Sequence, residues 1–244
     1  MSDKTLIELK NVTKIFDRRA ILKKISFSVK SGETVAIVGF SGSGKSTVLK
    51  LISGLINANS GEIKVRDENI AMVFQYSALF DSLNIYENVA FALRERKEFK
   101  KKYKEHELQT IVKENLGKVG LHNIENKFPS EISGGMQKRV SFARAIMTNP
   151  KIILYDEPTA GLDPVSSTVI EDYIAHLKNE TNAASIVVTH QMSTIQRTAD
   201  RVIMLYRGRI VWEGTPQEML KSTDPFAYQF VHAKKDGPMV SVAV

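Results

Sequence analysis

In the run Gly39-Phe40-Ser41-Gly42-Ser43-Gly44-Lys45-Ser46-Thr47 the first eight residues match the pattern G-x-x-x-x-G-K-[ST]. Its glycines let a backbone curl until successive N–H groups point inward, the shape that cradles phosphate oxygens. Lys45 supplies a cation for β- and γ-phosphates, and the Ser46 hydroxyl is a hard oxygen for Mg2+. A second candidate is Asp156-Glu157, two carboxylates closing the apolar run Ile152-Ile153-Leu154-Tyr155. Asp156 suits completion of a Mg2+ sphere and Glu157 suits polarising an attacking water. A third is Ser133-Gly134-Gly135. Ser133 can cap a helix start, and the two glycines leave its first N–H groups uncovered for an anion. Taken alone, the second and third also fit an acidic strand end and an ordinary helix cap. One nucleotide does not easily need two anion-binding helix ends from one chain, which hints at a site shared across a dimer.

These residues need a scaffold, and the hydrophobic pattern supplies one. Leu6–Lys10 and Ile25–Val29 alternate apolar with polar, as half-buried strands do. Thr34–Val38 is short, β-branched and ends at a glycine, which predicts a buried parallel strand leading into the phosphate loop. Helical spacing follows from Lys45 to about Ile56, then a strand pair near Glu62–Val65 and Ile70–Phe74. From Ile85 to about Val119 the pattern is helical and highly charged, and Gly134–Thr148 predicts another helix. Strand–helix alternation returns with Ile152–Tyr155, Val165–Asn179, Ile186–Thr189 and Met192–Ala199. Val202–Tyr206 and Ile210–Glu213 read as a final strand pair, followed by two short helical segments. Beyond Gly237-Pro238 the chain is expected to be frayed. Alternation at both ends predicts a mainly parallel sheet with the helical middle inserted as a lobe.

Composition excludes several classes. The 244 residues, 43% hydrophobic and 25% charged, rule out wholesale disorder. With no cysteine there is no disulfide, thiolate zinc site or thiol nucleophile. The net charge of +7 suits phosphate ligands, anionic lipid or nucleic acid without choosing among them. MSDKTLIELK carries charges where an export signal needs an apolar core, and no apolar stretch approaches the roughly 18 residues of a membrane span. The expectation is an unexported chain; if it works at a membrane, other chains cross the bilayer.

The phosphate loop, Ser133-Gly134-Gly135, Asp156-Glu157 and Leu162-Asp163 occur in an order and spacing that resemble the ATP-binding cassette (ABC) ATPases, from about Leu6 to Gly214. The resemblance implies an α/β fold: a P-loop NTPase with a RecA-like, mainly parallel sheet, an N-terminal antiparallel β subdomain and an inserted α-helical subdomain. It implies one ATPase domain over 1–244, with about 76–140 the helical insertion and about 215–244 a C-terminal helical tail. It also implies ATP and Mg2+ as ligands and gives roles to bland residues. Gln75 matches the Q-loop glutamine that touches Mg2+ and water, and Phe16 the aromatic that stacks on adenine. Asp163 matches the D-loop, which communicates between subunits, and His190 the switch histidine that contacts the γ-phosphate. By themselves Phe16 and His190 read as core or strand-end residues. The signature departs from Leu-Ser-Gly-Gly-Gln at both ends, with Ile132 and Met136, so hydrolysis is expected to survive without a polar contact from the fifth position.

The family pairs two copies head to tail, each phosphate loop facing the other copy's signature, and couples them to membrane permeases. The stretch Phe74-Gln75-Tyr76-Ser77-Ala78-Leu79-Phe80-Asp81-Ser82-Leu83, with Ser-Gly-Gly-Met and Asp156–Pro164, resembles the Mla/Mkl-type ATPases. That implies lipid transport with a polytopic permease and an MCE-domain protein, at the cytoplasmic side of the plasma or inner membrane. The alternative is the ATPase of an amino-acid or other small-solute importer. The basic run from Arg94 to Lys104 reads as a solvated face or a contact with anionic lipid; nucleic acid is not expected, since only Phe99 and Tyr103 interleave it. The tail, with Met219, Phe226 and Phe230, reads as packed on its own domain, or as a contact with another protein.

Overall fold

The computed structural model describes residues 4–95 and 102–239. Two long strands open the chain, β1 (Thr5–Phe16) and β2 (Arg19–Lys30), followed by β3 (Thr34–Val38) and the helix α1 (Lys45–Ile52). Next come β4 (Ser60–Val65), β5 (Ile70–Val73), and the helices α2 (Ile85–Glu95), α3 (Glu105–Lys118) and α4 (Gly134–Ile146). The remainder is β6 (Ile152–Asp156), α5 (Pro164–Thr181), β7 (Ala184–Val188), α6 (Met192–Thr198), β8 (Arg201–Tyr206), β9 (Arg209–Gly214), α7 (Pro216–Lys221) and α8 (Pro225–Val231). A three-stranded antiparallel sheet has the order β2-β1-β4. A six-stranded sheet has the order β5-β6-β7-β3-β8-β9, parallel except for β9.

The large sheet is buried on both faces, and its strand period of two sorts side chains between them. Val35 and Ile37 of β3, Ile152 and Leu154 of β6, and Ile203 and Leu205 of β8 join one cluster with α1 and the small sheet. Ala36, Val38, Val202 and Met204 face the opposite way, against α6, α7 and α8. Ile153 and Tyr155 also face that way, against α4, α5 and the rest of the helical middle. The helical insertion therefore shares its apolar core with the sheet. Arg201 of β8 donates to the Ser28 carbonyl of β2 at 2.5 Å, fastening the two sheets together.

Two expectations need correction. The strands near Glu62–Val65 and Ile70–Phe74 do not pair with each other. β4 lies antiparallel to β1, Ile7 opposite Val65, while β5 lies parallel to β6, Ile70 opposite Ile152. Asn69 between them donates to the Thr148 and Asn149 carbonyls and accepts from Lys151 N–H, so β5 is pinned to the far sheet. The tail past Gly237-Pro238 is not frayed at Met239, which is 1% exposed and exchanges two hydrogen bonds with Gln229 (2.7 and 2.9 Å). Smaller differences follow from backbone chemistry: α1 stops at Ile52, before left-handed Gly54, rather than near Ile56. Of the basic run, Arg94 pairs with Glu105 at 2.7 Å, and residues 96–101 lie outside the described ones.

Candidate functional site

The carboxyl ends of β3, β5, β6 and β7 lie along one edge of the large sheet, and each feeds a candidate residue into that edge. β3 leads into the phosphate loop, β5 into Gln75, β6 into Asp156-Glu157 and β7 into His190. A cleft of about 890 Å3 opens there, lined by Phe16, Gly39, Ser41, Gly42, Gly44, Lys45, Ser46, Thr47, Gln75, Glu157 and His190. Ser43, inside the loop, is buried with its hydroxyl unpartnered among the described residues. Gly39 has φ +142°, and a Cβ there would collide with the Leu205 carbonyl oxygen, so only glycine lets the loop leave β3 this closely. Gly44, at φ +105°, turns the chain into α1, which opens with no side-chain cap. Its N-terminal N–H groups are therefore left for an anion.

Lys45 Nζ donates to the Gly39 carbonyl at 2.8 Å and the Phe40 carbonyl at 3.1 Å, folded onto its own loop. Burial holds its ammonium below the ordinary lysine range, only partly offset by the Glu157 and Asp156 charges. Ser46 Oγ donates to Asp156 Oδ1 at 3.0 Å. Burial pushes the Asp156 carboxyl up, and the Glu157 charge adds to this, while the Ser46 hydrogen bond, Lys45 and Lys50 pull it down. A hydroxyl and a carboxylate so placed are the donor set Mg2+ takes when phosphate and water complete its octahedron. Among the described residues no three His, Cys, Asp or Glu are grouped so as to hold a metal ion.

Glu157 has φ +47°, an uncommon conformation for a residue with a Cβ, costing of order 1–3 kcal/mol. Its N–H donates to the Val188 carbonyl at 2.9 Å, which holds the twist against β7. The side chain is 13% exposed; Oε1 lies 3.0 Å from His190 Nδ1, and Oε2 is buried with no partner among the described residues. A buried carboxylate oxygen left open faces a desolvation cost that a bound proton donor relieves. Such an oxygen at the rim of a phosphate cradle can take a proton from water.

The remaining candidates lie elsewhere. Ser133 caps α4, its Oγ accepting from Met136 N–H at 3.3 Å, and Ser133 and Gly134 are exposed outside the cleft lining. Asp163 caps α5, accepting from the Val165 and Ser166 N–H groups at 3.0 and 2.9 Å, and the hydrogen bonds from Ser166 hold its carboxyl below the usual range. Ile132 is buried and Met136 packs against the helical core, which accounts for apolar residues at both ends of the signature.

A family model described as ABC transporter matches residues 22–160, more than half of the chain. The chain belongs to the ABC transporter family. Protein TRIGALACTOSYLDIACYLGLYCEROL 3, chloroplastic, of Arabidopsis thaliana is 44% identical, covering 96% of this chain and 75% of that one. A probable ribonucleotide transport ATP-binding protein, mkl, of Mycobacterium leprae (strain TN) is 37% identical, covering 96% and 70%. Among solved structures, the dimeric post-hydrolysis state of the ATP-binding cassette MJ0796 bound to ADP and Pi superposes with a TM-score of 0.78 at 32% identity, covering 86% of this chain and 98% of that one. The fold is accordingly that of an ABC cassette, a P-loop NTPase, and the chain is the ATP-binding, ATP-hydrolysing subunit of an ABC transporter. None of its described helices is long and apolar enough to cross a membrane.

Some residues at the cassette's site carry no sequence signal. Gln229, Phe230, Ala233 and Lys234 form one wall of the cleft, though they lie more than 180 residues beyond the phosphate loop. The packing of α8 against β9, and of Phe226 against Tyr206 of β8, brings them there. Lys138 of α4 donates to the Ala160 carbonyl just past Glu157. Burial lowers its pKa and the nearby Glu157 charge partly restores it. Four residues beyond Gly134 was the only hint of its place.

Proposed function

We propose that this subunit drives a lipid transporter from the cytoplasmic face of a membrane, peripherally bound, and works as a pair of identical copies. Integral membrane permease subunits and an MCE-domain lipid-binding protein are its further partners. The observation that carries the paired reading is a division within one chain. The cleft gathers the phosphate loop, Gln75, Glu157 and His190, whereas the uncovered helix end at Ser133-Gly134-Gly135 lies outside it, with Ser133 and Gly134 exposed. A second copy turned head to tail supplies that end to the open side of the cleft, and the solved relative MJ0796 is described as dimeric. The lipid assignment rests on the Arabidopsis relative, whose name is that of a galactosylated diacylglycerol, and on the motif resemblance. The Mycobacterium relative is named for ribonucleotide transport, so a ribonucleotide is the rival cargo.

In this reading Phe16 stacks on the adenine, and the N–H groups of Gly39 through Thr47, with Ser41, Gly42, Ser43 and Gly44 at the bend, hold the phosphates. Lys45 exchanges its two loop carbonyls for phosphate oxygens. Glu157 Oε2 accepts a proton from water as the water oxygen bonds to the γ-phosphorus and the bond to the bridging β–γ oxygen breaks, leaving ADP and phosphate. His190 steadies the other Glu157 oxygen and meets the γ-phosphate, and the partner's glycine N–H groups face the same charge. Ser46, Asp156 and Gln75 would hold Mg2+, which neutralises charge on the phosphate oxygens. Asp163, capping α5, sits where the D-loop of one copy reports to the other.

The test is extraction of the full chain from native membranes in mild detergent, as the parent and as Glu157→Gln. Retention of ATP with turnover at least ~100-fold slower is expected for the variant, together with ATP-dependent pairing. A multi-span permease and bound phospholipid are expected to co-purify with the parent. Parental turnover in the variant removes Glu157 from the base role, and a ribonucleotide or other polar solute as the bound cargo overturns the lipid assignment.

A further inference from the structure

Glu171 is 1% exposed, in the middle of α5, yet carries a carboxylate. Its Oε1 accepts from Ser193 Oγ at 2.9 Å and Thr194 Oγ1 at 2.7 Å, both in the first turn of α6, and Oε2 lies 3.3 Å from Arg197 Nε. Thr194 Oγ1 is in turn 3.1 Å from Thr159 Oγ1, and Thr159 Oγ1 lies 3.0 Å from the amide oxygen Oε1 of Gln191. Thr159 and Thr194 are both fully buried. Thr159 stands two residues after Glu157, and Gln191 one residue after His190. The chain of hydrogen bonds therefore runs from Glu171 to the two residues that flank the Glu157–His190 contact of 3.0 Å.

The chemistry of its members fixes the direction of the chain. An ionised carboxylate only accepts, so Thr194 donates to Glu171 and must accept from Thr159. Thr159 has one proton for two neighbours; the chain is satisfied in full when Gln191 presents its amide nitrogen to Thr159, a half-turn of the amide that keeps the contact. Every donor from Gln191 to Thr194 then points toward Glu171, the charged acceptor at the end of the chain. A buried network satisfied throughout is stiff, and stiffness here acts on a Glu157 held in a left-handed backbone.

We infer that Glu171 is a positioning residue for ATP hydrolysis: through Thr194, Thr159 and Gln191 it sets the separation of Glu157 from His190, without touching the nucleotide. This rests on the ATPase reading of the cleft and adds a residue that none of the motif positions contains. It also gives α5, which Asp163 caps, a rigid connection to the hydrolytic pair.

The experiment compares the full chain, with its co-extracted partners, as Lys45→Ala, Glu171→Gln, Thr194→Val and Thr194→Ser. Binding of a fluorescent ATP analogue and steady-state turnover are both measured. Glu171→Gln and Thr194→Val should lower kcat about tenfold or more, since a small misplacement of a reacting group is enough for such a loss, with Kd and KM within about twofold of the parent. Thr194→Ser keeps the hydroxyl and should restore kcat. The inference is overturned if Thr194→Val turns over at the parental rate. It is equally overturned if Thr194→Ser is as slow as Thr194→Val, or if kcat and affinity fall together. Should Glu171→Gln fail to fold, the Thr194 pair decides alone. A parent no faster than Lys45→Ala would instead bring down the ATPase reading itself, a result distinct from parental turnover that depends on Lys45 but not on Glu171.

Discussion

Asp156 shows how a single side chain trades stability for chemistry. Its carboxyl sits partly buried beside Glu157, and burial together with that like charge raises its pKa above the usual aspartate value. A carboxyl whose folded pKa is raised contributes stability at acid pH, where it is protonated, and loses that contribution as pH rises through the folded value. At neutral pH the folded chain therefore carries an unfavourable charge at this position. Asp156→Asn keeps an oxygen for the Ser46 hydroxyl and removes the charge. The variant should melt at or above the parental temperature at pH 7, the difference shrinking as pH is lowered toward 4, while Mg2+-dependent turnover is abolished. Thermal melts over that pH range check it; a variant less stable at pH 7 than at pH 4, relative to the parent, contradicts the account.

Among the elements, α8 owes its place to a latch. Gln229, buried in that helix, gives Met239 both a donor and an acceptor, so the chain after α8 folds back and Met239 enters the core beside Val38 and Met204. The latch also holds Phe230, Ala233 and Lys234 along the nucleotide cleft. Gln229→Ala leaves the Met239 N–H and carbonyl without partners, at about 1–3 kcal/mol for each group that stays buried. A fall in Tm of several degrees is expected, with new protease cleavage between His232 and Met239. Unchanged melting and cleavage would show that the apolar contacts of Met239 suffice. Asn88 serves α2 in a similar way, bonding the backbone of Phe80, Leu83 and Asn84 and so fixing the loop after Gln75. Asn88→Ala should cost a comparable amount and loosen that loop.

At the scale of the molecule, the exposed start of α4 separates a role within one chain from a role between two. A Cβ at Gly134 meets nothing within 4 Å, and Ala has the higher helix propensity, so Gly134→Ala should leave the melting temperature unchanged or slightly raised. If this helix end closes over the partner's phosphates, the added methyl stands where backbone must approach an anion. Turnover should then drop by about tenfold or more, the scale of losing donors at a developing charge, and ATP-dependent pairing of Glu157→Gln should weaken. Sedimentation of the double variant with ATP checks this; full turnover in Gly134→Ala would return that helix end to a merely structural part.

Gly39 through Thr47, Asp156-Glu157 and the five buried residues of Thr34–Val38 were legible in the sequence because each is local. A phosphate loop needs consecutive residues, and a strand buried on both faces needs an unbroken apolar run. The partnership of β4 and β5 was not legible, since a short strand carries no record of which edge will take it; Asn69, bonding to backbone 79 residues away, decided that for β5. The same holds for the tail wall of the cleft and for Glu171, whose carboxylate reads in sequence as a solvated helical charge. Motif chemistry is written along the chain, whereas the placing of buried polar groups depends on donors and acceptors that only packing brings within hydrogen-bond reach.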